Sequence, residues 1–77
     1  MKRKFLFTWH KNERYGEPVE RHNYITVTKA SKDLGMACNA ATELFKRSFG
    51  SLKRNTILSI QEVDENNAPL GEPLTEM

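Results

Sequence analysis

Cysteine is almost absent from this chain of 77 residues, in which Cys38 is the single one. The sequence therefore contains no disulfide framework. A lone cysteine within an apolar stretch is typical of a small buried hydrophobic residue, and this low usage fits a reducing, intracellular setting. Without disulfides, a domain of this size is only marginally stable. The length predicts a single domain that spans residues 1–77.

Long hydrophobic runs are also missing. The basic residues 2–4 suit the start of a signal peptide, but the apolar stretch 5–9 is too short to complete one, and His10 and Lys11 end it. No segment approaches the length that crosses a bilayer. With 38% hydrophobic and 29% charged residues, the composition is that of a folded domain. We therefore expect a soluble, cytoplasmic protein without a membrane partner.

The residue types that carry catalysis or bind cofactors form no recognisable pattern. Nothing in the sequence ties Cys38 to His10 or His22 as a nucleophile with its base. The two histidines lack a third ligand for a metal ion, and the four glycines do not have the spacing of a phosphate-binding loop. The carboxylates at positions 62, 64 and 65 fit a solvated turn. The sequence predicts a protein that is not an enzyme and that uses no cofactor and no metal.

Basic charge is absent from the last part of the chain, because every Lys and Arg lies at or before Arg54. Residues 1–54 contain 12 Lys and Arg against 5 Asp and Glu, whereas residues 55–77 contain 5 Asp and Glu and no basic residue. The overall formal charge of +2 hides this division. We expect surfaces of opposite charge that lie apart and steer binding partners.

What is present begins with two β-strands. Residues 3–10 alternate, with Phe5, Phe7 and Trp9 on one face, which is typical of a strand. The polar residues 12–18, with a Gly and a Pro, predict a turn. Residues 22–28 are rich in β-branched and aromatic side chains, so we expect a second strand that pairs antiparallel with the first.

A helix is predicted over roughly residues 31–49. Ser31 occupies the expected N-cap position, and Gly35 weakens the first turn enough that the regular helix begins nearer Met36. Gly50 is the expected stop. The predicted apolar stripe recurs at spacings of three and four and consists of Leu34, Ala37, Cys38, Ala41, Leu44, Phe45 and Phe49.

A third strand follows at residues 55–63, with Leu58 and Ile60 expected to face the helix, and residues 69–74 are predicted to return as a short edge strand. The order β-β-α-β gives a two-layer α+β domain, with one helix on an antiparallel sheet of three to four strands. We expect the aromatic face of the first strand to pack against Leu44, Phe45 and Phe49. If residues 55–63 lie at a sheet edge, they are available for pairing with a partner; if central, they belong to the core.

The basic residues near the helix end are the candidate contact residues. Lys46 and Arg47 lie in the last helical turn, and Lys53 and Arg54 follow shortly after, so a compact basic patch is expected. Such a patch suits nucleic acid, although the acidic last segment opposes phosphate binding. The alternative is that these residues interact with the helix dipole and keep the protein soluble.

The second half of the chain resembles small α+β proteins encoded by phages and prophages, whose functions are unknown. The resemblance is carried by residues 46–53, by residues 55–64 and by Gly71-Glu72-Pro73-Leu74. It implies an accessory gene product that acts on a host or phage component by binding a protein. It transfers no catalytic or binding residue.

The sequence therefore predicts a non-enzymatic accessory protein, an adaptor or an inhibitor, that binds another protein. The alternative is a nucleic-acid-binding accessory protein that uses Lys46, Arg47, Lys53 and Arg54. A homodimer is left open, because exposed strand edges pair with a second copy as readily as with a different partner.

Overall fold

The computed structural model describes residues 1–74, which form three strands and one helix. The elements are β1 (Arg3–Lys11), β2 (Arg21–Val27), α1 (Leu34–Phe49) and β3 (Asn55–Val63). The strands form one antiparallel sheet in the order β2-β1-β3. This confirms the predicted two-layer α+β fold. The central strand is β1.

The core lies between the helix and one face of the sheet, where aromatic rings from β1 and α1 meet. Phe5, Phe7 and Trp9 alternate along β1 and are almost fully buried. The Phe45 ring stacks on Phe7 with centroids 5.1 Å apart, and Trp9 meets Phe45 edge-on at the same distance. Phe49 packs beside Trp9. The predicted packing of this aromatic face against the helix is confirmed, and each ring pair adds about 1 kcal/mol beyond the burial of its area.

The buried stripe of the helix is narrower at its start than the spacing predicts. Ala37, Ala41 and Phe45 are fully buried, whereas Leu34 is 39% exposed and does not join the core. The two alanines let the helix lie close to the sheet. Cys38 is half-buried and packs at the margin of the core instead of inside it.

The helix begins with an Asp33 cap, so the prediction of Ser31 as the N-cap is wrong. The backbone N–H of Met36 donates to the Asp33 carboxylate at 3.0 Å, and Asp33 has extended backbone angles. Ser31 Oγ accepts from the Asp33 N–H at 3.0 Å and stabilises the preceding turn. The predicted stop at Gly50 is confirmed: its φ of 112° lies where residues with a Cβ are strained.

A β-bulge in β3 overturns the prediction that Leu58 faces the helix. Ile57 and Ser59 pair with two successive residues of β1, so Leu58 is an extra residue between them. The bulge interrupts the alternation of side chains. Ile57 and Ile60 are both 3% exposed, whereas Leu58 is 38% exposed. The burial expected for Ile60 is confirmed.

The strand β3 lies at an edge of the sheet and not at its centre. Residues 69–74 return along its outer side through two isolated bridges, Val63 with Pro69 and Ile60 with Leu74. They do not form a regular fourth strand, although Ile60 and Leu74 exchange two backbone hydrogen bonds of 2.7 Å. This edge of the sheet is therefore partly covered by the chain itself.

Candidate functional site

The sheet has one face that no helix or strand of residues 1–74 covers, which we call the open face. Its residues pair with one another across the strands and alternate with the buried residues of β1 and β2. α1 packs on the opposite side, against the aromatic residues of β1 and against β2, whose Ile25 and Val27 belong to the same core. The side chains that the pairing assigns to this face are Lys4, Leu6, Thr8, His10, His22, Tyr24, Thr26, Thr56, Ser59, Gln61 and Val63, of which Val63 is only 4% exposed.

A row of one aromatic, one aliphatic and one amide side chain, with a cation beside it, crosses the middle of the open face. Leu6 pairs with Tyr24 on β2 and with Gln61 on β3, so the three side chains form a line across the sheet. Tyr24 is 47% exposed, and Lys4 Nζ lies 4.8 Å from the centroid of its ring. This cation–π contact stabilises the observed position of the ring by about 0.5–1 kcal/mol. None of the residues assigned to the open face is acidic.

The histidines of the open face do not lie opposite each other. His22 pairs with Thr8, and its ring nitrogens lie 3.2 Å from Thr8 Oγ1 and 3.3 Å from a Glu20 carboxylate oxygen. His10 Nδ1 lies 3.0 Å from the carbonyl oxygen of Lys11. No group of three or more His, Cys, Asp or Glu side chains within residues 1–74 is placed to hold a metal ion.

The strand β2 forms the other edge of the sheet, and its outer side is bare within the described part of the chain. All seven of its residues pair with β1 without interruption, from Val27 opposite Arg3 to Arg21 opposite Trp9. Natural edge strands are commonly protected by Lys, Pro, a bulge or a covering segment. β2 has none of these, and Arg21 is its one formally charged residue. A row of backbone hydrogen-bonding groups is thus available to a further strand.

Two of the four residues of the predicted basic patch line a common groove, and the other two lie in the last turn of α1. Lys53 and Arg54 line a groove of about 360 Å³ at the end of the sheet, where they are joined by Lys11. Lys46 lies in the last turn of α1, and its ammonium is 3.0 Å from the Glu43 carboxylate. Arg47 is exposed in the same turn. Glu13 also lines the groove and weakens its positive potential.

Hydrogen bonds donated by two asparagines fix the backbone around this groove. The buried Asn55 donates from Nδ2 to the carbonyls of Phe49 (3.0 Å) and Ser51 (3.3 Å), which fixes the loop after the helix. The backbone N–H of Asn12 donates to the Arg54 carbonyl at 2.8 Å. Lys11 is a groove residue that the sequence analysis missed, because only its antiparallel pairing with Asn55 brings it beside Lys53 and Arg54.

At the opposite end of the sheet, the basic start of the chain meets the acidic segment. Arg3 forms a bidentate ion pair with Glu62, with nitrogen–oxygen distances of 2.7 and 2.8 Å. The two side chains are only 11% and 15% exposed. The hydrogen bonds from Arg3 hold the pKa of the Glu62 carboxyl below its ordinary value, and the same bonds raise the pKa of Arg3.

The expectation that the two charged regions lie apart is therefore wrong at this end. Lys2 and Lys4 line one groove of about 530 Å³ together with Glu62, Asp64 and Glu65. The antiparallel pairing of β1 with β3 causes this, because it places Lys4 beside Val63. The acidic segment is largely compensated by the N-terminal basic residues. Lys11, Lys53 and Arg54 remain as the basic cluster at the far end.

Comparison of the chain with models of known protein families, with curated proteins and with solved structures finds no match in any of the three. Within residues 1–74, no helix is both long and apolar enough to cross a membrane.

Proposed function

We propose that this protein is a non-enzymatic accessory protein, an adaptor or an inhibitor, that binds another protein through the open face of its sheet. The observation that carries the proposal is the row formed by Tyr24, Leu6 and Gln61, with Lys4 over the tyrosine ring. An exposed aromatic ring held rigidly by its neighbours gives contact area at a low cost in conformational entropy. In a phage setting, the partner is a host or phage protein.

The chemistry of the open face defines the kind of partner that fits it. Lys4 is its one formally charged side chain, and hydroxyl, amide and imidazole groups surround the central row. A partner surface with an apolar centre and a neutral to acidic rim matches this pattern, since like charges across an interface are avoided.

The test is a pull-down with a substitution at the centre of the open face. The wild-type chain is expected to recover a protein at a stoichiometric ratio from a lysate of cells that contain its natural partners. Leu6→Glu adds a buried negative charge to the interface and should abolish the recovery. Met36→Glu is the matched control, because Met36 is 63% exposed on the helix, away from the open face. It should leave the recovery unchanged.

Recovery of no protein above background contradicts the proposal, and so does equal recovery by the wild type and by Leu6→Glu. Far-UV circular dichroism of both variants establishes that the fold is retained. Nuclease treatment of the lysate before the pull-down separates direct protein binding from capture through nucleic acid.

Nucleic-acid binding is the second candidate, and it is favoured by one specific observation. Lys11, Lys53 and Arg54 line a single groove, although they come from two separate parts of the sequence. Glu13 in the groove and the Lys46–Glu43 ion pair oppose it. Binding of a generic duplex or single strand should then weaken steeply with salt, and alanine at Lys53 and Arg54 should weaken it further. Absence of binding at low salt removes this candidate.

A further inference from the structure

We propose that two copies of this chain pair through their β2 edges, antiparallel about a two-fold axis, so that two three-stranded sheets become one sheet of six strands. The proposal goes beyond the binding of a different protein, because it assigns the β2 edge to a second copy and leaves the open face to the partner. The structure carries it through the bare edge, the register and the charges beside the strand.

The two edges of the sheet differ in whether another segment of the described chain covers them. Residues 69–74 run along the outer side of β3 and form backbone hydrogen bonds with Ile60 and Glu62. Among residues 1–74, nothing comparable lies along the outer side of β2. A strand of seven residues that has no Pro, no Lys and no bulge is a ready template for pairing with an identical strand.

Full overlap of two antiparallel β2 strands fixes one register. Arg21 then lies opposite Val27 of the second copy, and Tyr24 lies opposite its own copy at the two-fold axis. In this register each residue faces one that projects from the same side of its own sheet. Both helices therefore lie on one side of the joined sheet, and the two open faces form one continuous surface on the other.

The charges that flank β2 make a second copy the fitting occupant of the edge. Glu17 and Glu20 precede the strand, whereas Lys29 and Lys32 follow it, and all four are exposed. Antiparallel pairing about a two-fold axis brings the acidic flank of each copy to the basic flank of the other. Glu20 directly precedes the strand and Lys29 of the second copy lies two residues past the end of its strand, so the two come to the same end of the paired strands, twice in each dimer. This self-complementarity specifies pairing of the strand with its own copy.

A charge exchange tests the pairing by sedimentation of the purified protein over a series of concentrations. The wild-type chain is expected to sediment as a dimer that dissociates on dilution. Glu20→Lys and Lys29→Glu each create repulsion at both flanks and should raise the dimer dissociation constant about tenfold. The double variant restores the attraction with the signs exchanged and should recover most of the wild-type affinity. Glu72→Lys makes the same charge change in the segment along the outer side of β3, at the opposite edge of the sheet, and should have no effect.

Disulfide trapping tests the register independently. In a Cys38→Ala background, Tyr24→Cys places two thiols opposite each other at the two-fold axis and should yield a covalent dimer on mild oxidation. His22→Cys is the matched control. Its thiol lies opposite Thr26 of the second copy, so the two introduced thiols are too far apart to bond, and the chain should stay monomeric on a non-reducing gel.

A wild-type chain that sediments as a monomer at every concentration overturns the proposal. A dimer whose dissociation constant is the same in Glu20→Lys, Lys29→Glu and the wild type overturns it as well, since the contact then lies elsewhere. Failure of the pairing is distinct from failure of the proposed function. The pairing is measured on the purified chain alone, whereas partner binding is measured with the Leu6→Glu and Met36→Glu variants.

Discussion

Arg3 and Glu62 lie 59 positions apart in the sequence and form a bidentate ion pair across β1 and β3. Arg3 also donates to the carbonyls of Ser31 (3.1 Å) and Lys32 (3.0 Å), which precede the helix cap. One guanidinium therefore joins the central strand, the edge strand and the approach to the helix. The pair lies at the end of the sheet where the helix begins.

The ion pair predicts a dependence of stability on pH. The folded-state pKa of Glu62 lies below its ordinary value of 4.5, because Arg3 donates hydrogen bonds to the ionised carboxylate. The stabilisation is complete above pH 4.5 and is lost as the pH falls through the folded-state value. The same hydrogen bonds raise the pKa of Arg3 above its ordinary value, so Arg3 stays charged and adds no slope at acidic pH.

Chemical denaturation of the wild type and of Glu62→Gln over a range of pH measures this effect. Near neutral pH, the wild type should have a free energy of unfolding about 1–2 kcal/mol higher than the variant. The difference should shrink as the pH falls below 4.5. Asp64→Asn is the control in the same groove and should retain the acid dependence that Glu62 causes. A difference that does not vary with pH contradicts the role of the ionised pair.

The fold class and the aromatic core follow from the sequence because they depend on local periodicity. Period-two alternation places Phe5, Phe7 and Trp9 on one face, and the helical spacing places Phe45 and Phe49 against them. These patterns hold whatever the order of the strands. The sheet order was not predictable in the same way, because residues 55–63 are β-prone enough to suit either a centre or an edge.

The positions of the charged surfaces could not be predicted without the strand order. The distribution of charges along the sequence does not reveal that order. Antiparallel pairing of β1 with β3 brings Lys4 beside the acidic segment at one end and Lys11 beside Arg54 at the other. A count of charges along the sequence treats Lys4 and Lys11 as one basic region. In the folded chain they belong to opposite ends of the same strand, and only one of those ends remains basic.

The β-bulge predicts that two apolar residues of β3, Leu58 and Ile60, differ sharply in their contribution to stability. Ile60→Ala removes a side chain that is 3% exposed and should lower the free energy of unfolding by about 2–4 kcal/mol. Leu58→Ala removes a side chain that is 38% exposed and should cost about 1 kcal/mol or less. Urea denaturation of both variants compares them directly. Equal losses contradict the register that places Leu58 in the bulge.

Asp33 and Ser31 are both residue types that suit an N-cap, and the observed cap predicts that their substitutions differ in their effect on stability. Asp33→Ala removes the acceptor for the Met36 N–H and should lower the free energy of unfolding by about 1 kcal/mol. Ser31→Ala removes an acceptor for a turn N–H outside the helix and should cost less. Thermal unfolding of the two variants ranks them. A larger loss from Ser31→Ala contradicts the cap at Asp33.

Asn55 is the one buried polar residue among those described, and its amide predicts a specific sensitivity. Its Nδ2 donates to the carbonyls of Phe49 and Ser51, so alanine leaves both acceptors without this donor and opens a small cavity. We expect Asn55→Ala to lower the free energy of unfolding by about 2–3 kcal/mol. Asn55→Asp should cost more, because an ionised carboxylate cannot donate and is forced against two carbonyl oxygens.

Denaturant melts of the two Asn55 variants check this order, with Asn39→Ala as the matched control. Asn39 is exposed on the helix, where alanine is the better helix former, so the control should be neutral or slightly stabilising. Raising the pH from 4 to 7 should destabilise Asn55→Asp further. The aspartate ionises readily in the unfolded chain, whereas burial beside two carbonyl oxygens opposes its ionisation in the folded chain, so a higher pH favours unfolding. If Asn55→Asp is as stable as the wild type at neutral pH, the amide does not hold the loop after the helix.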